Sequence, residues 1–389
     1  MIINEVKNEL ENHISPFWEK LIDKENGGFY GFMDYNLNLD KKADKGVILH
    51  SRILWFFSKC YTILKDEKYL EYATHAYKFI KDNCIDYELG GVYWMMDYKG
   101  GVKDDMKHTY NIAFAIYALS AYYNACSDKE ALSLAEKLFN DVETKTLDEY
   151  GYMEAFTREW VLADNDALSE NGLQADKTMN AILHLIEAYT ELYKANKDEK
   201  VAERLKFLLW QMENVVYNPE TDALKVFFNT KLELIGDIHS YGHDIEATWL
   251  CDLACDVLGD EELKERFKEM NLRISRNIQK IAINNGAMNN ERDKDHIDTK
   301  RVWWVQAEAI VGFTNAYQHS GDKSFLDTAK GVWEYTKREV IDHREGGEWY
   351  SEVTAEGKPF ENKEEVGPWK CPYHNGRMCL ELIERGIDY

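Results

Sequence analysis

The sequence predicts an all-α chain closed into an (α/α)6 barrel of about twelve helices, with short β-hairpins and loops at one mouth. Three observations predict it. A glycine and aromatic signal returns about every sixty residues, an N-capping aspartate returns at the same interval, and less charged helices alternate with amphipathic ones.

The hairpin signal reads Gly27-Gly28-Phe29-Tyr30, Gly90-Gly91-Val92-Tyr93-Trp94, Tyr150-Gly151-Tyr152, Asp222-Ala223-Leu224, Asn285-Gly286-Ala287 and Gly346-Gly347-Glu348-Trp349-Tyr350. Taken between residues 28, 91, 151, 223, 286 and 347, the gaps are 63, 60, 72, 63 and 61. The aspartates Asp66, Asp128, Asp198, Asp260 and Asp322 each precede a charged residue and an apolar helical pattern, as an N-cap does, and lie 62, 70, 62 and 62 apart. Each unit therefore reads hairpin, loop, helix, tight turn, helix.

The helix after each aspartate is amphipathic: Val201, Leu205, Leu208, Met212 and Val215 advance by four, three, four and three. It belongs on the outside. The helix before each aspartate is richer in aromatics and poorer in charge, as in Ile53-Leu54-Trp55-Phe56-Phe57, and belongs inside. Five such pairs leave one helix at each end, Asn4 to Leu21 and roughly Pro372 to Arg385, which can complete a sixth pair and close the ring.

Bulk composition agrees. No Pro, Gly or Ser-rich linker divides the 389 residues and only five prolines occur, so one catalytic domain spanning residues 1–389 is expected. A net charge of -23 argues against nucleic acid and anionic membranes as partners. The uncharged stretch Thr109 to Ser127 carries Asn111, Asn124 and four tyrosines, which fits a buried amphipathic helix better than a membrane span. Seven cysteines without a Cys-x-x-Cys pair, and an N-terminus without a signal-peptide core, place the expected protein in the cytoplasm; a monomer is favoured, though these features do not fix the oligomeric state.

If the inner helices share one direction, their starting ends ring one mouth, and the sequence loads that mouth with Arg52, Tyr110, Asn180, His243, Trp304, Trp369 and His374. His243 and Glu246 lie three apart on one helix face, where the carboxylate can orient the imidazole. Trp304 and Glu308 are one turn apart, as are Asn180 and His184. Aromatic plates beside Arg, Asn, His and Glu suit the C–H faces and hydroxyls of a sugar. No His-Glu-x-x-His or comparable spacing appears, so no catalytic metal is expected.

At Lys42 to Arg52, His243 to Glu246, Arg301 to Glu308 and Gly367 to Arg377 the chain resembles the N-acylglucosamine 2-epimerase superfamily, in particular its cellobiose-type branch, over essentially its whole length. The resemblance implies an (α/α)6 barrel that interconverts C2 epimers at the reducing end of β-1,4-linked disaccharides, without nucleotide, metal or redox cofactor. It implies His243 and His374 as the acid-base pair and Arg52 as the stabiliser of the anionic intermediate. Tyr110, Asn180, His184, Glu246, Trp304, Glu308 and Trp369 would line the site.

Two histidines make chemical sense independently. Inverting C2 needs a proton taken from one face and returned on the other, and imidazole, with an ordinary pKa near 6.5, does both near neutrality. Aldose-ketose isomerisation, N-acylglucosamine epimerisation, an inverting glycoside hydrolase using Glu246 and Glu308, and a noncatalytic binding scaffold remain open readings of the residues alone.

Overall fold

The computed structural model describes residues 2–165 and 173–387. An N-terminal helix, α1 (Ile2–Glu9), runs through a π-helical turn into α2 (Ser15–Glu19). Then follow α3 (Val47–Leu64), α4 (Glu67–Phe79), α5 (Thr109–Cys126), α6 (Lys129–Lys145), α7 (Met179–Asn196), α8 (Glu199–Gln211), α9 (Tyr241–Leu258), α10 (Glu261–Ile281), α11 (Trp303–Ser320), α12 (Lys323–Tyr335) and α13 (Tyr373–Arg385). Helices α3, α5, α7, α9, α11 and α13 each pack on the next, and α13 packs back on α3, so the inner ring is closed. Helices α4, α6, α8, α10 and α12 back the ring, and α1 packs on α13 to make the sixth pair.

The turn between inner and outer helix is the same five times. Inner helices of 18 residues each end on a left-handed residue (Lys65, Ser127, Lys197, Gly259, Gly321), and the next residue is the aspartate. Its carboxylate then accepts a backbone N–H of the outer helix, from Lys68, from Glu130 and Ala131, from Lys200, from Leu263 and from Ser324 in turn. The caps expected from spacing are therefore real caps. Asp128→Ala is expected to cost about 1 kcal/mol of stability, read from a urea titration.

Helix α5 departs from expectation in one respect. It is enclosed from Thr109 through Tyr122 and has no polar face over that length, because an inner helix touches two inner neighbours as well as its outer partner. Among the described residues no helix is long and apolar enough to cross a membrane.

All six hairpins form as antiparallel pairings at the ends of outer helices: Ile22 with Phe29, Ile85 with Val92, Leu147 with Tyr152, Tyr217–Asn218 with Ala223–Leu224, Ile283–Asn284 with Ala287–Met288, and Ile341 with Trp349. Gly28 shows why glycine recurs there. Its φ of 64° is left-handed, and a Cβ would stand 2.6 Å from Nε2 of His50, the atom that accepts the Phe29 N–H.

A second repeat emerges only from the coordinates. A basic residue stands two positions before each of the first five inner helices, at Lys45, Lys107, Lys177, His239 and Arg301, and Lys370 stands three before α13; all six are buried. Lys45 donates to Asp23 at 2.8 Å, Lys107 to Asp86 at 2.9 Å and Lys177 to Asp148 at 2.5 Å. Each of those aspartates also accepts backbone N–H groups in its own hairpin turn. Lys370 pairs with Glu348, and His239 turns instead to Asp244 on α9. Ion pairs made by the four buried lysines thus tie hairpin to helix around much of the mouth.

Candidate active site

At that mouth lies a cavity of about 350 Å³, within the ordinary range for small-molecule sites. Arg52, Tyr110, Asn180, His184, His243, Glu246, Trp304, Trp369 and His374 all line it, contributed by the inner helices and the loop before α13. Glu308 is the exception among the ten expected residues. It sits behind the wall, one turn deeper on α11 than Trp304, where its carboxylate accepts from Nδ1 of His374 at 2.7 Å and from Trp249 Nε1 at 3.0 Å.

His243 and His374 both pack against the same ring. The Trp304 indole lies 4.8 Å from the first imidazole and 5.4 Å from the second, centroid to centroid. Gly242 permits this approach, since a Cβ there would come within 2.5 Å of the indole. The sequence argument that Glu246 orients His243 does not hold. Nδ1 of His243 bonds Ser240 Oγ at 2.7 Å, whereas Glu246 turns towards α13 and lies 3.9 Å from Nδ1 of His374. The i, i+3 pairing is right as helix geometry, but the buried guanidinium of Arg377 attracts the carboxylate more strongly.

Arg377 organises the floor. It donates through one nitrogen to Glu187 and through the other to Glu246 and, at 2.7 Å, to Glu308. Tyr373 also donates to Glu187, whose other oxygen lies 2.9 Å from Nδ1 of His184. Glu246, Glu308 and His374 offer atoms within 4.8 Å of one another, a grouping that could hold a metal ion, and the guanidinium already supplies positive charge there.

Electrostatics sort these groups. Burial, reinforced by the charges of His184 and Arg52, pushes His243 down to about 3. Burial and the charges of Arg377 and Arg52 hold His374 well below the usual imidazole range. Burial raises Glu308, and burial together with the charge of Glu308 raises Glu246. Imidazole pushed down and carboxyl pushed up meet across one hydrogen bond at His374 and Glu308, whereas the His243 imidazole meets a neutral hydroxyl.

Arg52 faces the cavity without a carboxylate. Its guanidinium bonds the Tyr110 hydroxyl at 2.7 Å and lies over the rings of Phe114 (4.2 Å) and Tyr373 (4.9 Å). No acidic group among the described residues comes within ion-pair distance of it. Arg52 Nε, Asn180 Oδ1, Glu246 Oε2 and Trp303 Nε1, all on cavity-lining residues, have no hydrogen-bond partner among the described residues. Donors and acceptors held in this way match a ligand rich in hydroxyls and able to carry negative charge.

Sequence reasoning missed Ser240, Glu187, Tyr373 and Arg377. A signal was present: Ser240 is three before His243, Glu187 three after His184 and Arg377 three after His374, the same spacing that singled out Glu246. The outer rim, including Asn290, Ser351, Glu352 and Lys363, comes from hairpin loops whose register no helical period fixes.

The comparisons with known proteins agree with this geometry. Residues 27–376 match the family model for N-acylglucosamine 2-epimerase (GlcNAc 2-epimerase). A cellobiose 2-epimerase of Ruminococcus albus is 70% identical over 388 residues, covering 100% of both chains. The solved structure of a sugar epimerase from a ruminal bacterium superposes with a TM-score of 0.99 at 70% identity, with 100% of each chain covered. The structure of cellobiose 2-epimerase from Bacillus thermoamylovorans superposes with a TM-score of 0.96 at 47% identity, covering 99% of each. A barrel with two imidazoles and a carboxylate-free arginine at one mouth, matched in sequence and shape along its length, belongs to the N-acylglucosamine 2-epimerase family, and within it groups with the cellobiose 2-epimerases.

Proposed function

We propose that the chain catalyses reversible C2 epimerisation of the reducing-end glucose of β-1,4-linked disaccharides, cellobiose to glucosylmannose and lactose to epilactose, as one catalytic unit needing no cofactor. The observation that carries this reading is the pair of imidazoles, His243 and His374, both lining one cavity and both against the Trp304 indole.

The chemistry runs through the open-chain sugar. One imidazole removes the proton from C2, the C–H electrons form a C1–C2 double bond, and the carbonyl electrons move onto O1 to give a cis-enediolate. The other imidazole returns a proton to the opposite face of C2, and the C1 carbonyl re-forms. His243, bonded to Ser240, and His374, backed by Glu308, act as acceptor and donor, and in the reverse direction the roles exchange. Arg52, with no carboxylate to neutralise it, stabilises the enediolate. Trp304 and Trp369 supply faces for the sugar, and Tyr110, Asn180, His184 and Glu246 bind its hydroxyls.

Hydrolysis fits less well. An inverting glycosidase separates its carboxyls by roughly 6.5 to 9.5 Å to admit a water, whereas Glu246 and Glu308 offer atoms within 4.8 Å of each other and both bond Arg377. Seven free cysteines suit a reducing compartment such as the cytoplasm, where the chain is expected to work as a monomer.

Incubation with cellobiose followed by NMR tests the reading. An intact disaccharide altered at C2 is expected; released monosaccharide or a ketose product would overturn it. In D2O the product should carry deuterium at C2, because an imidazole proton exchanges with water, and full retention of the original hydrogen would exclude the two-histidine route. Arg52→Ala is expected to lower kcat by about 100 to 1,000-fold, the usual cost of losing one donor to a developing oxyanion, measured by the same assay.

A further inference from the structure

Ser240 occupies the N-cap position of α9, where a hydroxyl ordinarily accepts a backbone N–H of the first turn. Thr178 does so at the same position of α7, accepting from Ala181 at 3.0 Å. Ser240 makes no such bond to α9. Its Oγ stands 2.7 Å from Nδ1 of His243, three residues on, while its backbone is held in a strand paired with Glu291. A helix cap has been given up for an imidazole.

The partner also differs in kind from that of His374. A carboxylate such as that of Glu308, when ionised, favours a cationic imidazole, whereas a hydroxyl is neutral and favours it much less. With Nδ1 engaged by Ser240, Nε2 is the ring nitrogen left for the cavity that His243 lines.

We infer that Ser240 is the positioning residue of His243: its hydroxyl accepts the Nδ1 hydrogen and so holds the tautomer whose Nε2 lone pair takes and returns the C2 proton. This inference rests on His243 being one of the two acid-base groups. Loss of the hydroxyl frees the ring to turn and to adopt the other tautomer, which disables one face of C2 and spares the other.

The test measures two rates in D2O for Ser240→Ala, Ser240→Thr and His243→Ala: epimerisation, and wash-in of deuterium at C2 without inversion, each starting from either epimer. Ser240→Ala is expected to lower kcat for epimerisation about 10 to 100-fold, as the loss of a hydrogen bond to a charge-bearing ring implies, with KM within about twofold. Wash-in should persist for the epimer served by His374 and fall for the other, and the persisting rate shows that the site is assembled. Ser240→Thr should recover to within about threefold of the parent. Unchanged epimerisation in Ser240→Ala, or equal loss of wash-in from both epimers, would overturn the inference. Parent-like epimerisation in His243→Ala would instead overturn the two-histidine reading beneath it.

Discussion

Replacing either His374 or His243 by alanine is expected to lower epimerisation about 100 to 10,000-fold, the span usual for a positioned acid or base. The double variant should be little worse than either single one, because the two rings serve one inversion and the remaining ring has no opposite number. Disaccharide binding, followed by calorimetry, should change far less, since the aromatic faces of Trp304 and Trp369 and the polar groups of Tyr110, Asn180 and Glu246 remain. A variant of either histidine with parent-like turnover would remove the basis for proton delivery on two faces.

Arg377→Met is expected to be the most destabilising single change at the site. It leaves Glu187, Glu246 and Glu308 without their shared cation in a fully enclosed place, and breaking a buried pair in this way typically costs about 3 to 5 kcal/mol. The deficit should depend on pH in a definite direction. Unpaired buried carboxyls have pKa values above those of the unfolded chain, so the variant's folded state binds protons more readily and loses stability as pH rises through the raised values. Denaturant midpoints for parent and variant should lie closest near about pH 5 and diverge towards about pH 8. A constant gap would mean that the three carboxylates find other partners.

The repeat made most of this architecture legible. Aspartates such as Asp128 announce helix starts through a local bond to the next turn, and glycines such as Gly28 announce backbone conformations that few other residues adopt, so both are readable from one segment. Nine of the ten candidate residues reached the cavity wall because the inner helices share a direction. What stayed hidden depends on partners far away in the chain. Glu246 was assigned to its neighbour His243, yet its charge is claimed by Arg377, 131 residues on, and Glu308 works on His374 from behind rather than on a ligand. The ring of Lys45, Lys107 and Lys177 escaped notice for a related reason. A lysine two residues before a helix looks like any surface lysine until the hairpin aspartate that buries it is in place.

The seam between α13 and α3 has a consequence for how the molecule becomes active. Arg52 meets the backbone of Trp369 across a separation of 317 residues, and His374 lies on α13, after all the other described helices in the sequence. Contacts so remote in the chain are slow to form, and each earlier helical pair can nucleate on local contacts before them. A nascent polypeptide that has emerged only through α12 would be largely helical yet catalytically silent, since it lacks His374. Appearance of turnover would then mark the locking of the last pair into the first.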